Sequence, residues 1–429
     1  MTAISIIFTL ISAVALVTVP RRWAPLPLLA ASCYMTLGQV LIVGPFHFSV
    51  IRILVAVGAI RILIRHERPA SGLCGLDWLM FIWAAWALCA SAFHQEPGEV
   101  LIHRLGLVFN VLGVYFLVRC FCERSEDVIG LIKVTAILLI PVALEMLSEH
   151  ITHRNLFSAL GGVPAEVAIR HARSRSQGPF RHPILAGTVG AVCVPLMAAI
   201  WRRSPVMAKA GMLACLMMVL TSGSSGPCMS LLFAVLALIL WRWRHLTRQM
   251  RIATIIGYLA LDLVMKAPAY YLIARIDVVG GSTGYHRARL IESAIEHLRE
   301  WWWAGTDYTR HWMVTGVSWS EDHADITNHY LKMGVLGGLP LMLLFILTLS
   351  WGFRYVGEAM RSRTDAPVAD QFLVWCLGAS LFAHAVTCIS VSYFDQSFLF
   401  LYLTLAMIAS ICVSDRGRRP PTGVRHLNP

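Results

Sequence analysis

The sequence predicts an all-α, polytopic transmembrane helical bundle of about thirteen spans (12–13), and three observations predict it. The 429 residues are 57% hydrophobic and only 14% charged, with a mean hydropathy of +0.66. A soluble chain of this size could not hide so much apolar surface. The apolar residues fall into runs near the bilayer-crossing length of about 20. The connections between these runs alternate between two kinds, one short and Arg-bearing, the other almost free of cations.

The runs lie at approximately 2–19, 25–43, 49–64, 76–93, 105–122, 128–147, 184–201, 206–221, 227–241, 252–268, 331–351, 371–391 and 395–413. Residues 1–19 lack a positive n-region and precede Arg21 and Arg22, so they read as a retained span and not a signal peptide. Arg21, Arg22, Arg61, Arg65, Arg68, Arg119, Arg124, Arg202, Arg203, Lys209, Arg242, Arg244, Arg248, Arg251, Arg354, Arg361, Arg363 and the tail's Arg416, Arg418, Arg419 and Arg425 all fall in alternate connections. The positive-inside rule makes that side cytoplasmic. The short loops of the other set, GPFHFS (44–49), HQEPGE (94–99), SGSSGP (222–227) and SYFDQS (392–397), hold no Lys or Arg. The N-terminus is therefore expected outside and the C-terminus inside, with 1–429 a single integral membrane domain and 414–429 a cytoplasmic tail.

The formal charge is +12, and of the 36 cationic residues only Lys133, Lys209, Lys266 and Lys332 are lysines. Most of this charge reads as anchoring against anionic lipid, with no nucleic-acid partner. The cysteines lie mostly inside apolar runs without CxxC pairs and read as small buried hydrophobes.

Two long outer loops, 149–183 and 267–330, escape the charge rule by their length. They hold Arg154, Arg170, Arg173, Arg175 and Arg181, then Arg275, Arg287, Arg289, Arg299 and Arg310. Arginine suits a diphosphate because its planar fork binds it bidentately; the competing explanation is a solvated charged surface. Residues 286–303 have helical period, with Leu290, Ile291, Ala294, Ile295, Leu298, Trp301 and Trp302 on one face. Arg289 can pair with Glu292, and Arg299 with Glu296. Arg287 falls on the apolar face with no local partner, which is costly unless it meets a partner or faces a cavity. The tryptophans 301–303 suggest that this helix lies along the membrane interface. In RSRSQGPFRHP (173–183), Arg173, Arg175 and Arg181 converge on a span whose first N–H groups are unpaired, and His182-Pro183 marks its start.

The second loop ends in EDHADITNHYLKMGVLGG (321–338). His323 or His329 with Asp325 could form a general base and its orienting group, and no third ligand at useful spacing completes a zinc site there. Glu145, Asp262 and His384 are the ionisable residues inside spans. TSGSSGP (221–227) lacks the Gly-Lys-Ser/Thr ending of a phosphate loop and reads as a turn able to donate hydroxyls to a sugar.

At these residues the chain resembles the bacterial O-antigen ligase/polymerase superfamily. RSQGPFRHP (175–183) is similar to that family's Arg-x-x-Gly-x-Phe segment, GYHRARLIESA (284–294) to its Tyr-x-Arg-type segment, and TNHYLKMGVLGGL (327–339) to its His/Asn-then-Tyr-Leu segment before Gly-x-x-Gly. The resemblance covers roughly 170–350. It implies a GT-C-like glycosyltransferase of the bacterial inner membrane with its active site facing the periplasm. The implied substrates are an undecaprenyl-diphosphate-linked glycan and an acceptor glycan, with other polysaccharide-assembly membrane proteins as partners. Diphosphate binding falls on Arg175 and Arg287, assisted by Arg181 and Arg173; glycan binding on Asn328 and His182; base catalysis on His329 or His323 with Asp325. No metal or other cofactor is implied. Asn328 precedes His329 here, and Gly334 follows it by only five residues. That departure leaves the base open between the two histidines. It also favours a polymerase of O-antigen or exopolysaccharide over a ligase acting on lipid A-core. A transporter of lipid-linked sugar, the rival of another class, predicts internal repeats and broken midplane helices, and no repeat is evident.

Overall fold

A computed structural model of the chain describes all residues except 71, 171–172, 276–283, 318–319 and 415–429. Beyond Ser414, the expected tail lies outside the described residues, as do residues 276–283 of the second long loop. The described residues are 73% helical. Among the described residues six helices are long and apolar enough to cross a membrane, and four shorter apolar helices accompany them. These mark it as a helical membrane protein.

The first half holds α1 (Ala3–Thr18), α2 (Pro25–Tyr34), α3 (Val50–Arg65), α4 (Gly75–Cys89), α5 (Pro97–Phe121) and α6 (Ser125–Thr152), with a hairpin of β1 (Val40–Val43) and β2 (Phe46–Ser49) between α2 and α3. A second hairpin, β3 (Ala168–Arg170) and β4 (Arg173–Arg175), precedes α7 (Pro183–Ala199), α8 (Pro205–Thr221), α9 (Ser225–Ile239) and α10 (Thr247–Val264). Short α11 (Leu272–Arg275), α12 (Gly284–Glu296) and α13 (Leu298–Trp301) follow, then β5 (Gly316–Val317) and β6 (Ser320–Ala324). The chain closes with α14 (His329–Ser362), α15 (Val368–Thr387) and α16 (Phe398–Ser414).

Local sequence explains many of the boundaries. Thr2 and Ser49 cap α1 and α3 through their hydroxyls, Pro183 opens α7, and His153 ends α6 in the left-handed region at φ 58°. The run expected to be a span over 25–43 is corrected: its helix stops at Tyr34, and VLIV pairs antiparallel with FHFS. Hydropathy alone does not separate a short apolar strand from a helix end, whereas the Gly44-Pro45 turn favours the hairpin. The continuous helical run Ser225–Val264 would be about 60 Å long if straight. Its start lies beside Arg287, while Tyr271, just past its end, donates to Glu292 Oε2 at 2.7 Å, five residues along the same α12. The run therefore folds back through the 3-10 stretch Leu240–Leu246, where Trp243 leaves helical geometry.

In the core, α7 packs on α8, α9 and α15; α6 on α8; α4 on α14; and α5 on α16. Two arginines that the charge pattern assigned to topology are buried within the protein. Arg61 donates to the carbonyls of Leu16 and Val19, the latter at 2.9 Å, at the C-terminal end of α1, and pairs with Glu67. Arg119 forks onto Asp77 at 3.1 and 3.2 Å, and Tyr115 donates to the same carboxylate at 2.6 Å.

The connections sort into two ends. Arg21 meets Glu123 and the Arg68 carbonyl, Arg203 meets Glu126 and Asp370, and Arg363 reaches the Ile411 carbonyl. At the other end the Thr2 N–H donates to Gln39, which reaches Leu160. There also, Gln95 N–H donates to Asp307 at 2.9 Å and Gln396 donates to the Pro179 carbonyl at 2.8 Å. Cation-poor loops thus meet the two long loops, and Arg-bearing connections meet one another.

Helix α14 is broken at Gly337 and Gly338. Gly338 has φ 72° and ψ −175°, a conformation essentially reserved for glycine. The break lets the segment that follows α13 clasp the helix: Leu339 N–H donates to Trp302 O at 2.8 Å and Thr306 N–H to Val335 O at 3.0 Å. Trp86 Nε1 donates to Gly337 O at 2.7 Å. A Cβ on Gly338 would sit 2.1 Å from Trp303 O. Gly338→Ala is expected to cost about 1–3 kcal/mol from backbone strain alone, and more through that clash. A lowered apparent Tm in detergent, with faster proteolysis near 300–306, is the outcome to measure.

Candidate functional site

The site grows from the turn between α8 and α9. Gly223 has φ +54°, and a Cβ there would meet Ser174 O at 2.9 Å and Arg175 Cγ at 3.1 Å. Glycine therefore lets β4 lie directly on the turn, where Ser176 N–H donates to Thr221 O at 2.9 Å. Arg175 ends that strand, and its Nη2 donates to Ser224 Oγ at 2.7 Å. From the other side, Arg287 on α12 brings Nη2 to 3.8 Å from where a Cβ on Gly226 would sit. Two arginines that are 112 residues apart by number thus flank one five-residue segment, 222–226.

Both are 8% exposed, and the buried Nε of each has no hydrogen-bond partner. Burial pushes both guanidiniums below the usual arginine value, and Arg170 lowers both further, while Asp325 acts in the opposite sense on Arg287. Arginine stays charged regardless. The site is therefore a desolvated cationic cluster with too little negative charge of its own, which is what an anion would relieve.

The carboxylate of Glu149 fixes the segment that follows Arg175. It accepts from Gln177 N–H at 3.0 Å and from Gly178 N–H at 2.8 Å, and Asn155 also reaches it. On the far side Asp395 accepts from Arg181 N–H at 3.0 Å and Ser397 N–H at 2.8 Å. Burial pushes Asp395 up, and these hydrogen bonds together with the Arg181 charge partly offset that. No protein-family model and no curated protein matches the chain.

The remaining expected residues separate. Arg173 and Arg181 are exposed; only the backbone of Arg181 joins the hydrogen-bonded frame. His182 caps α7, its Nδ1 accepting from Ile184 N–H at 3.1 Å. Asn328 caps α14 through Leu331 N–H at 3.1 Å. His329 is buried, edge-on to Phe345 and Tyr393, and its Nδ1 accepts from Tyr393 N–H at 3.2 Å. A neutral imidazole whose Nδ1 accepts carries its proton on Nε2, so His329 has no free lone pair. His323 is half-buried on β6, with Ser320 Oγ 2.8 Å from its Nδ1. Asp325 is exposed and acts electrostatically on Arg287. Glu145 and Asp262 each accept a backbone N–H, from Leu156 and Ala269. The expected Arg299–Glu296 pair is corrected: among the described residues Glu296 meets Arg289.

Two contributors were missed. Arg170 sat among the loop arginines without distinction, and only the β3–β4 hairpin, register Arg170 to Arg173, turns it back towards Arg175. Ser224 belonged to a turn read as a possible sugar contact, with no signal that it would hold Arg175.

His182 supplies a pH test. Burial first, then Arg175 and Arg170, lower it from 6.5 to about 4. The folded state refuses a proton that the unfolded chain accepts below 6.5. Stability from this group is therefore whole above 6.5 and lost as pH falls towards about 4. His182→Asn keeps a capping side chain without titrating, so a flatter fall of apparent Tm over that window is expected.

Proposed function

We propose that the protein is an integral-membrane glycosyltransferase of bacterial surface-polysaccharide assembly, working on the periplasmic side of the inner membrane. The observation that carries this reading is the meeting of Arg175 and Arg287, buried and with unbonded Nε atoms, at one turn. In the proposed reaction the two arginines hold the diphosphate of an undecaprenyl-linked glycan. The bond between the anomeric carbon and the diphosphate oxygen breaks, and undecaprenyl diphosphate leaves with the electron pair. The acceptor hydroxyl oxygen forms the new bond to that carbon. Charge developing on the leaving oxygen is met by donors already in position, so no general acid is required.

The acceptor proton passes to His323, with Asp325 as its orienting group. The engaged lone pair of His329 argues against that residue as the base and leaves it a donor through Nε2–H. Polymerisation of repeat units is favoured over ligation to lipid A-core, from the order Asn328-His329 and the short spacing to Gly334. Gene deletion with isolation of lipid-linked glycan tests this: single repeat units should accumulate. Long chains stranded on the carrier would make the protein a ligase, and an unchanged glycan pool would end the glycosyltransferase reading.

A further inference from the structure

We infer that His297, Glu300 and His311 form a binding site for a divalent transition-metal ion of the zinc class, separate from the arginine cluster. One ligand atom from each of the three lies within 4.8 Å of the others. The two imidazoles meet edge to face with centroids 4.7 Å apart. Zinc bonds of about 2.0–2.1 Å to nitrogen and oxygen in tetrahedral geometry need only modest rotations of these half-buried and exposed side chains to close.

Two outer hydrogen bonds distinguish the cluster from a chance ion pair. His297 donates through Nδ1 to the Ser293 carbonyl at 2.8 Å, which leaves Nε2 as a bare lone pair, the form in which a histidine ligates. Trp312 Nε1 donates to Glu300 Oε2 at 3.2 Å and orients the carboxylate. His311 Nε2 lies 2.9 Å from that same oxygen. A metal ion would take the place of the hydrogen shared there, with His311 ligating through Nε2. Two imidazole nitrogens and one carboxylate oxygen select zinc or cobalt over calcium and magnesium, which prefer oxygen alone. Water fills the fourth position.

The placement gives the ion a structural task. His297 follows α12 and Glu300 lies on α13, while His311 comes from the 3-10 turn Arg310–Trp312. Leu290, Ala294, Trp301 and Trp312 pack together beneath them. The ion would staple the turn to the helix that carries Arg287, ten residues or about 15 Å away along it. The spacing, three residues and then eleven, resembles no common metal motif, and the sequence alone gave no reason to join these residues.

The test uses the full chain in lipid nanodiscs, stripped with chelator and titrated with Zn²⁺, then with Co²⁺ read by its visible absorption. One equivalent per chain is expected, with the absorption of a four-coordinate site. His297→Gln and His311→Gln should each weaken binding at least about tenfold, while His153→Gln on the other long loop should leave it unchanged. Glu300→Gln, at an exposed position, serves as the third variant, and elution as a single species shows that each variant is folded. Equal affinity in the wild type and the two histidine variants, or no stoichiometric uptake by the wild type, would overturn the site.

Discussion

Arg287→Ala and Arg175→Ala are each expected to lower glycan transfer about 10²–10³-fold in kcat, the loss that follows removal of one preorganised donor to a developing oxyanion. The physical ground is that both guanidiniums are already desolvated, with Nε atoms that bond to nothing. They need little reorganisation when charge develops on the leaving diphosphate. Lysine at either position should restore only part of the rate, because an ammonium keeps the charge and loses the planar fork. Transfer from a purified lipid-diphosphate glycan, measured with protein reconstituted in nanodiscs, is the assay. Full activity in both alanine variants would remove the diphosphate clamp from consideration. Arg170→Ala should have a smaller effect, since Arg170 is exposed and acts on the pair at a distance.

Arg119→Ala should cost about 3–5 kcal/mol of stability, the usual effect of breaking a buried ion pair from one side. Arg119 and Asp77 have side chains 1% and 0% exposed, so the lone carboxylate would be left with Tyr115 and the Cys74 N–H as its donors. The double change Arg119→Met with Asp77→Asn should recover part of the loss, because it also removes the uncompensated charge. Thermal unfolding in detergent measures both. A single variant as stable as the wild type would show that water reaches this pair.

Some of this was legible in the chain. The helical period of 286–303 put Arg287 on the apolar face, and it is buried there beside Leu290 and Ala294. The period runs on, but the helix breaks at His297, where α12 gives way to α13, and nothing local announces that break. The position of Arg175 before α7 marks it in the sequence, but the hydroxyl that holds it lies 49 residues further on. The tautomer of His329 was invisible for the same reason: its lone pair is engaged 64 residues away. In β1 the apolar VLIV looked like more of a span, because hydropathy measures transfer from water and is blind to backbone pairing.

The class of the molecule, a helical membrane protein, follows from the sequence by itself. Apolar runs and the sign of the residues between them are local quantities, and the energy of burying them needs no knowledge of neighbours. Tertiary structure decided which arginines are topological, which are structural and which face one another. Arg61, Arg119, Arg175 and Arg287 are the same residue type, and all four are buried. Arg61 meets carbonyls of α1 and the nearby Glu67, Arg119 meets the carboxylate of Asp77 on α4, and the last two meet a glycine-bearing turn and little negative charge. That difference is made by contacts between segments far apart in the chain, and only the packed fold supplies them.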